Sequence, residues 1–483
     1  MRLVELRVAG RSPTLPLTVA LDGEPLELLE WLRVLPGQRY VAKAIWHGRP
    51  VLAKLLVGPK AERHLARERN GARWLSQQGL PTPELITSGF VAGEAAWLLF
   101  AFLEDAQSLG QAWQMVERDV PLTDTQQTIL GEALHLIATL HIKGLWQDDL
   151  HLDNLIRQNG QLWLIDAGGI QAAELGEPLD RGRVLENLGV FLAQLPATLD
   201  PYIEDLLVHY LLANGTNALP LEGLLKEIQR VRRRRQKDFL GKLSRDCTLF
   251  SVRRTAHELR AVCRDQLPLL TDLLGDLDAA IANEQALKQG GSATVTLVER
   301  GGRSLVIKRY NLKNTAHWLR RCWRPTRAWH SWIEGNRLNF VGIATPRPLA
   351  VIEHRHFGLR GRSYLLTEYI GGQDIIAAFE PYLDGGLPES MLRAVCALFA
   401  VLKRERISHG DLKGTNLIWQ HDQAWLIDLD AVRQHADRRS FGEAFAKDRA
   451  RFLRNWPAES ALHRLLDEQL PKIGSADSST TAL

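Results

Sequence analysis

Apolar positions along the chain predict the same order of elements twice, a strand-rich segment followed by helices. In the first half, short runs rich in β-branched, Leu and aromatic residues predict strands and a 3.6-residue period predicts a helix: VLAKLL from Val51, AAWLLFAFL from Ala95, and Ile129 to Leu140. In the second half the corresponding segments are ATVTLVER from Ala293, SLVIKRY from Ser304, SYLLTEYI from Ser363, and the helix Met391 to Lys403. The pattern indicates an α+β fold.

A comparison of the chain with itself shows that the two halves repeat a motif. The segment QDDLHLDNLIRQNGQLWLIDA from Gln147 matches HGDLKGTNLIWQHDQAWLIDL from His409 at an offset of 262 residues. Upstream, GLPTPELI from Gly79 matches GIATPRPL from Gly342 at an offset of 263. A repeat this long predicts two homologous domains, residues 1–240 and 241–483. The join is expected within residues 230–251, which begin with the basic run 230–237, and the final GSADSSTTAL is expected to be a frayed tail.

Composition sets the broad class. Of 483 residues, 45% are apolar and 24% charged, which excludes a disordered or fibrous chain. The four cysteines are scattered, so neither a disulfide framework nor a zinc site is predicted, and a reducing, cytoplasmic location is expected. The start lacks the apolar core of a signal peptide, and no run approaches the ~20 apolar residues of a membrane span. A net charge of +4 is too small to predict nucleic-acid binding.

The repeated motif carries three oxygen-bearing side chains at one spacing: an Asp, an Asn five residues later, and an Asp seventeen residues after the first. These residues are Asp149, Asn154 and Asp166 in the first half and Asp411, Asn416 and Asp428 in the second. Phosphoryl transfer needs an oxygen base for the attacking hydroxyl and hard oxygen ligands for magnesium. The spacing therefore predicts a phosphoryl-transfer cleft in each half.

Such a cleft also needs a lysine from a strand and a glutamate from a helix to hold that lysine. Lys54 and Lys308 each lie in a predicted strand. Glu68 falls within an apolar helical stripe, which favours an inward-facing partner of Lys54, although pairing with Arg73 or exposure to solvent is an alternative. Glu334 is the acid available to Lys308, but it lies eight residues before Gly342, whereas Glu68 lies eleven before Gly79.

The two halves differ in the loop expected to bind phosphate. KQGGSATV from Lys288 contains Gly290, Gly291 and Ser292, whose backbone N–H groups are expected to approach phosphates. In the first half, LPGQRYVAKA from Leu35 contains a single glycine, and Gln147 stands where the second half has His409. Conversely, the first half keeps the Asp-x-Gly sequence after its strand, whereas the second has Asp428-Leu429-Asp430. We expect the second half to be catalytic, with slow or absent turnover in the first.

With these residues, both halves resemble the protein-kinase-like superfamily, and specifically the lipopolysaccharide core kinases that phosphorylate heptose or Kdo. The resemblance rests on the catalytic loops, the TP turn, KRYN from Lys308, and the Trp-rich insert after it. It implies two tandem bilobal domains and ATP with Mg²⁺ as cofactors. It implies the following roles: Asp149 and Asp411 as bases, Asn154, Asp166, Asn416 and Asp428 as magnesium ligands, and Lys54 and Lys308 as ATP contacts.

The resemblance further implies that Lys413, two residues after Asp411, steadies the transferring phosphate; an exposed lysine without a role is the alternative. Asp448 corresponds to Glu186 at the 262-residue offset, where kinases anchor the catalytic loop, but both are equally interpreted as surface acids.

The segment 318–332 contains four Trp and four Arg and suits an anionic interface, because Trp prefers headgroup boundaries and Arg pairs with phosphate. Core packing of these tryptophans is the alternative. Peripheral contact with the inner face of the inner membrane is therefore one expectation. The sequence predicts no oligomeric state.

The leading hypothesis is an ATP-dependent kinase for a sugar hydroxyl of the lipopolysaccharide inner core, whose glycolipid or precursor is the expected partner. One alternative is a tandem pseudokinase that acts as a scaffold or regulator of envelope glycolipid assembly, favoured by Gln147 and the missing loop glycines. Another is a small-molecule phosphotransferase, which shares the Asp/Asn/Asp set but does not explain the Trp-rich insert.

Overall fold

A computed structural model describes residues 1–117, 119–215, 219–290, 293–311 and 322–473. The chain divides into two compact units, Met1–Arg234 and Arg235–Leu483. Each unit is mixed α/β, with a strand-rich part followed by a helical part. The predicted C-terminal tail lies outside the described residues.

The strand-rich part of the first unit is an antiparallel six-stranded sheet in the order β1-β2-β3-β4-β6-β5. Its strands are β1 (Leu17–Leu21), β2 (Glu24–Leu35), β3 (Arg39–Trp46), β4 (Arg49–Val57), β5 (Leu85–Val91) and β6 (Ala95–Ala101). One helix, α1 (Ala61–Gln77), connects β4 to β5 and buries Leu65, Ala72 and Leu75. Gly79 ends this connection with φ +68°, a backbone conformation that favours glycine.

The helical part of the first unit surrounds the motif loop. Its helices are α2 (Leu109–Val116), α3 (Asp124–Ile142), α4 (Arg181–Leu192), α5 (Ile203–Ala213) and α6 (Leu221–Lys242), the last of which contains the division between the units. The loop itself is framed by short strands: β7 (Gln107–Ser108), β8 (Leu145–Gln147), β9 (Leu155–Gln158), β10 (Gln161–Leu164) and β11 (Ile170–Ala172). The predicted strands at Val51 and Ala95 and the helix at Ile129 are present.

The second unit begins with a seven-stranded antiparallel sheet in the order β12-β13-β17-β18-β16-β15-β14. Its strands are β12 (Phe250–Arg254), β13 (Glu258–Cys263), β14 (Gln285–Gln289), β15 (Ala293–Arg300), β16 (Arg303–Tyr310), β17 (Pro348–His356) and β18 (Leu359–Glu368). Its helices in this part are α7 (Leu267–Leu270), α8 (Leu277–Asn283) and α9 (Arg327–Phe340). The strands predicted from Ala293, Ser304 and Ser363 are present within β15, β16 and β18.

The helical part of the second unit also surrounds its motif loop. The helices are α10 (Ile375–Phe379), α11 (Glu389–Glu405), α12 (Arg438–Leu453) and α13 (Ala461–Gln469). The short strands are β19 (Gln373–Asp374), β20 (Ile407–Ser408), β21 (Leu417–Gln420), β22 (Gln423–Leu426) and β23 (Arg433–Gln434). In both units the last motif Asp follows the second strand of a β-hairpin, so the sheet geometry fixes its backbone. This architecture is consistent with a kinase-like fold.

Candidate active sites

In the first unit, Lys54 lies between two carboxylates. Its Nζ is 2.7 Å from Glu68 Oε2 and 3.2 Å from Asp166 Oδ1, and both Lys54 and Glu68 are buried. Glu68 comes from α1, whose apolar stripe turns it toward the sheet, as the periodicity predicts. The alternative partner of Glu68 is wrong, because Arg73 bonds Asn70 instead. In the first unit, Lys54 therefore bridges Glu68 on α1 and Asp166, the strand-end Asp that follows β10.

The electrostatics around Asp166 favour its charged form. Burial alone would raise its pKa, but the positive charges of Lys54 and Arg39 outweigh burial and lower the pKa of Asp166. The backbone of Asp166 is left-handed, with φ 62°, and this turns the following Gly168 N–H toward Glu68 Oε2 at 3.1 Å. The lysine, the two carboxylates and this turn form one hydrogen-bonded unit.

The motif loop of the first unit connects Asp149 to the strand-end Asp. Asn154 Nδ2 donates to the Asp149 carbonyl at 2.9 Å, and the Asn154 carbonyl accepts from the backbone N–H of Ile165 at 2.9 Å. Asn154 therefore lies beside Asp166. The side chain of Asp149 is 81% exposed, so its carboxylate faces solvent.

In the second unit, Lys308 also lies between two carboxylates, but both come from one loop. Its Nζ is 2.6 Å from Asp428 Oδ1 and 3.1 Å from Asp430 Oδ1. Burial disfavours the charge on Lys308, yet Tyr310, Asp430 and Asp428 together outweigh burial and raise the pKa of this lysine. The same pairing with Lys308 lowers the pKa of Asp428 against the effect of its burial. Lys308 and Asp428 thus stabilise each other's charged forms.

The structure corrects the predicted role of Glu334. This carboxylate forms an ion pair with Arg337, one turn further along α9, at 2.9 Å. Among the described residues, the carboxylates within 4 Å of Lys308 Nζ are those of Asp428 and Asp430. The helix register explains the error, since eleven residues before Gly342 lies Ser331, and Glu334 lies almost one turn beyond that position.

The motif loop of the second unit brings Asp411 close to three basic or amide side chains. Arg451 Nη1 lies 2.8 Å from Asp411 Oδ1, and Lys413 Nζ lies 3.5 Å from Oδ2. Asn416 Nδ2 donates to the Asp411 carbonyl at 2.9 Å and contacts Oδ2 at 3.4 Å. The Asn416 carbonyl accepts from Ile427 N–H at 3.0 Å, which places Asn416 next to Asp428. Asn416 is therefore bonded to Asp411, Lys308 is paired with Asp428, and the backbone bond from Ile427 brings these two pairs near each other.

Two buried groups hold the loop that carries Asp411. His409 Nε2 lies 3.0 Å from the Ile427 carbonyl, and burial lowers the pKa of His409, so the neutral ring donates this bond. Asp448, on α12, accepts from the backbone N–H of His409 at 2.6 Å and of Gly410 at 3.0 Å. Burial raises the pKa of Asp448. Asp448 is thus the loop anchor, whereas Glu186 is a surface acid paired with Arg183.

The expected phosphate loop is only partly described. Gly290 lies between β14 and β15, and its backbone N–H donates to the Ala293 carbonyl at 3.1 Å. The side-chain amide of Asn311, which follows β16, donates to the Gly290 carbonyl at 3.2 Å. Gly291 and Ser292 lie outside the described residues. The role of all three in phosphate binding stays a prediction.

Sequence reasoning missed several residues of the second site. The sequence shows Asp430 only as a departure from Asp-x-Gly, and it gives no role to Tyr310 and Ser331, which contact it. Tyr310 Oη donates to Asp430 Oδ1 at 2.6 Å, and Ser331 Oγ lies 2.9 Å from the same oxygen. The signal available in the sequence is Asp428-Leu429-Asp430 itself, because a second, partly buried carboxylate after the strand calls for a charged or hydrogen-bonding partner.

The oxygen donors of the second site fit a magnesium ion. Mg²⁺ takes oxygen ligands and is commonly held by one or two protein side chains together with substrate phosphates. Asp428 is held in its charged form, and Asn416 uses its amide N–H on Asp411, so the adjoining oxygens of both are of the required type. Within the described ranges, no group of three or more His, Cys, Asp or Glu side chains is arranged to hold a metal by itself. The oxygens of Asp428 and Asn416 fit an ion that substrate phosphates also hold.

The tryptophans of the Trp-rich segment differ in their exposure to solvent. Residues 318–321 lie outside the described residues. Trp332 is fully buried and Trp329 is half-buried against the sheet, as core packing predicts, whereas Trp323 is 75% exposed. In the part of the chain that is described, no helix is both long and apolar enough to cross a membrane.

Three comparisons relate the chain to known proteins. Residues 276–456, within the second unit, match the model of the Lipopolysaccharide kinase (Kdo/WaaP) family, which covers less than half of the chain. The 3-deoxy-D-manno-octulosonic acid kinase of Vibrio cholerae serotype O1 is 26% identical over 110 residues, or 22% of this chain and 45% of the relative. The chain thus spans about half the length of this curated relative. The matched segment is therefore similar to a family of lipopolysaccharide kinases.

Among solved structures, WaaP in complex with acyl carrier protein matches 44% of this chain and 88% of its own at 14% identity. Its TM-score of 0.33 is too low to support an inference.

Proposed function

We propose that this protein is a kinase that transfers the γ-phosphoryl group of ATP to a sugar hydroxyl of the lipopolysaccharide inner core, with the second unit as the catalytic one. The observation that carries the proposal is two bonded pairs, Lys308 with Asp428 and Asn416 with Asp411, which the backbone bond from Ile427 to Asn416 brings near each other. Both pairs lie within the segment that matches the lipopolysaccharide kinase family. The assignment of two tandem bilobal kinase-like domains, divided at residue 240, is part of the same proposal.

Each of these four residues has a chemical role in the proposed reaction. Lys308 contributes a positive charge for the phosphates, and Asp428 and Asn416 hold the divalent ion, which when bound neutralises phosphate charge. Asp411 orients the acceptor hydroxyl and accepts its proton as the new phosphorus–oxygen bond forms and the bond to ADP breaks. Lys413, 3.5 Å from Asp411, is positioned to approach the transferring group.

The surroundings of Asp411 favour an acceptor that is itself anionic. Arg451 on α12 is exposed, as are Lys447, one turn before it, and Arg454, the residue that follows the helix. Arginine binds carboxylate and phosphate groups through paired hydrogen bonds. The corresponding positions of α4, 262 residues earlier, are Leu185, Gly189 and Leu192, which carry no charge. This contrast supports the second unit as the one that meets an acidic glycolipid core, at the inner face of the inner membrane.

The test is transfer to a defined acceptor. The full chain is incubated with ATP, Mg²⁺ and deacylated core oligosaccharide, and mass spectrometry measures the gain of one phosphoryl group. We expect Asp411→Ala to abolish transfer, because the base and its hydrogen bond to the acceptor are lost. Asp422→Asn, in the exposed turn between β21 and β22, controls for handling. Unchanged transfer with Asp411→Ala, or loss with Asp149→Ala in its place, contradicts the assignment to the second unit.

A nucleotide-binding scaffold without transfer activity is the second candidate. The observation in its favour is the ion pair between Arg451 and Asp411, which occupies the carboxylate that the acceptor hydroxyl would need. Binding of ATP with Mg²⁺, without phosphorylation of core oligosaccharide, soluble sugars or aminoglycosides, is the result that favours this candidate over a kinase.

A further inference from the structure

The lysines of the two units are held by different pairs of carboxylates. Lys54 is held by Asp166 after the β-hairpin and by Glu68 from a helix. Lys308 is held by Asp428 and Asp430, both after the β-hairpin. Each lysine amine is paired with two carboxylates. Among the described residues of the second unit, however, neither of these carboxylates comes from α9.

Sequence register relates the two arrangements position by position. Glu68 and Ser331 both lie eleven residues before the glycine that ends their helices, and both are buried. Gly168 and Asp430 both lie two residues after the strand-end Asp. The Glu–Gly pair of the first unit is thus a Ser–Asp pair in the second. The second carboxylate partner of the lysine therefore lies on a helix in the first unit and on a loop in the second.

Steric contact makes the two exchanged positions dependent on each other. A Cβ atom at Gly168 would lie 2.8 Å from Glu68 Oε1 and 2.9 Å from its Cδ, closer than real Cβ contacts allow. A side chain at 168 therefore cannot coexist with Glu68 in its observed place. In the second unit the shorter Ser331 leaves room for Asp430, and its Oγ lies 2.9 Å from Asp430 Oδ1.

The remaining contacts of Asp430 fix it against Lys308. Tyr310 Oη donates to it at 2.6 Å, and Arg327 Nη1 lies 3.6 Å from its other oxygen. The Arg327 guanidinium also lies over the Tyr310 ring, 5.0 Å from its centroid. A carboxylate that several donors contact is held in one geometry.

We propose that Asp430, supported by Ser331 and Tyr310, is the positioning residue that orients Lys308 for nucleotide phosphates in the second unit. In the first unit, Glu68 is the corresponding partner that orients Lys54. One consequence is that the lysine of the second unit keeps both of its partners on a single loop. Its pairing does not depend on a carboxylate delivered by α9.

The test replaces the Ser331–Asp430 pair of the second unit by the Glu–Gly pair of the first and measures nucleotide binding. It rests on the proposed function only in the choice of ATP as the ligand. Calorimetry measures the Kd of ATP with Mg²⁺ for the full chain carrying Lys54→Ala, which removes the lysine of the first unit. The variants are Asp430→Gly, Ser331→Glu and the double variant, with Asp422→Asn as a control. Thermal unfolding of each reports folding, and Asp430→Asn retains the side-chain volume if Asp430→Gly unfolds.

We expect Asp430→Gly and Asp430→Asn each to raise the Kd for ATP by about tenfold or more, since the lysine loses a charged partner. Ser331→Glu should also raise it, because two carboxylates then compete for one site. The double variant should return to within about threefold of the starting Kd, an interaction that independent positions would not give. In transfer assays the KM for ATP should change with the Kd, and the KM for the acceptor should not.

Equal Kd values for Asp430→Gly, Asp430→Asn and the starting chain would overturn the proposal. So would a double variant weaker than either single one. Because binding is measured without acceptor, failure to phosphorylate any core oligosaccharide would count against the proposed function and leave this result intact.

Discussion

At the scale of single residues, a glutamine and a histidine make the same contact in the two units. Gln147 Nε2 lies 3.2 Å from the carbonyl oxygen of Ile165, and His409 Nε2 lies 3.0 Å from that of Ile427, 262 residues further along. Both side chains are fully buried. Gln147 therefore supplies the donor that the loop needs, and its presence is a weaker reason to expect lost activity in the first unit than the sequence suggested.

This equivalence predicts the effect of exchanging the residue in the second unit. We expect His409→Gln to keep kcat within about threefold, because the amide replaces one hydrogen bond of ordinary strength. His409→Ala should lower kcat by about tenfold or more, because the Ile427 carbonyl loses its donor and a cavity opens. Steady-state transfer assays on both variants check this. Equal losses for Gln and Ala would mean that the imidazole has a role other than this bond.

The partners of the two lysines show how far residue patterns can be interpreted. Glu68 was predictable because helical periodicity turns it inward and one lysine is available. The partner of Lys308 was not, because it depends on Ser331 and Asp430 together, which lie 99 residues apart in sequence and meet only in the folded unit. A local pattern selected Glu334, the nearest acid, which instead pairs with Arg337 on its own helix.

At the scale of elements, α12 fixes the loop that carries Asp411. Its Asp448 accepts hydrogen bonds from two consecutive backbone N–H groups, of His409 and Gly410. In the first unit α4 uses an amide instead: Asn187 Nδ2 donates to the Gln147 carbonyl, and His141 Nε2 lies 3.0 Å from Asn187 Oδ1. The two loops are therefore anchored with opposite polarity, by an acceptor in the second unit and by a donor in the first.

We predict that Asp448→Ala disables the second unit through this loop. Two buried N–H groups would lose their acceptor, at a cost of about 1–3 kcal/mol each, and Asp411 would lose its fixed position. The kcat for transfer should fall by at least about tenfold while the Kd for ATP changes little, since Lys308 and Asp428 are held separately. The matched control is Glu186→Ala, whose carboxylate pairs with Arg183 at the surface. A comparable fall in kcat for both variants would contradict the anchor role.

The elements themselves were predictable where their pattern is local. The strands that carry Lys54 and Lys308 are apolar and continuous, and they lie in the interior of their sheets. The strands β12 and β13 were not predicted. Their sequences, FSVRR and ELRAVC, are short and interrupted by charge, and β13 gains its place by pairing with β17, some 90 residues later. Such pairing is decided by tertiary contacts and not by propensity.

At the scale of the whole molecule, the chain has two candidate nucleotide sites whose side chains differ. The first unit has the helix-borne glutamate and the Asp-x-Gly turn, but its Asp149 is exposed. The second has the Arg451 and Lys413 side chains beside Asp411 and the match to a kinase family. A paired lysine and strand-end Asp occur in both units, whereas the groups expected to act on an acceptor are concentrated in the second.

This division predicts two nucleotides bound for one site of transfer. Calorimetry with ATP and Mg²⁺ should give a stoichiometry of two per chain, because each lysine is held with a strand-end carboxylate suited to a magnesium ion. Lys54→Met and Lys308→Met should each reduce the stoichiometry to one, and Lys308→Met alone should remove transfer to core oligosaccharide. Lys43→Met, on β3, is the control for loss of a lysine from the sheet. A stoichiometry of one that only Lys308→Met abolishes would mean that the paired lysine of the first unit serves its fold and not a ligand.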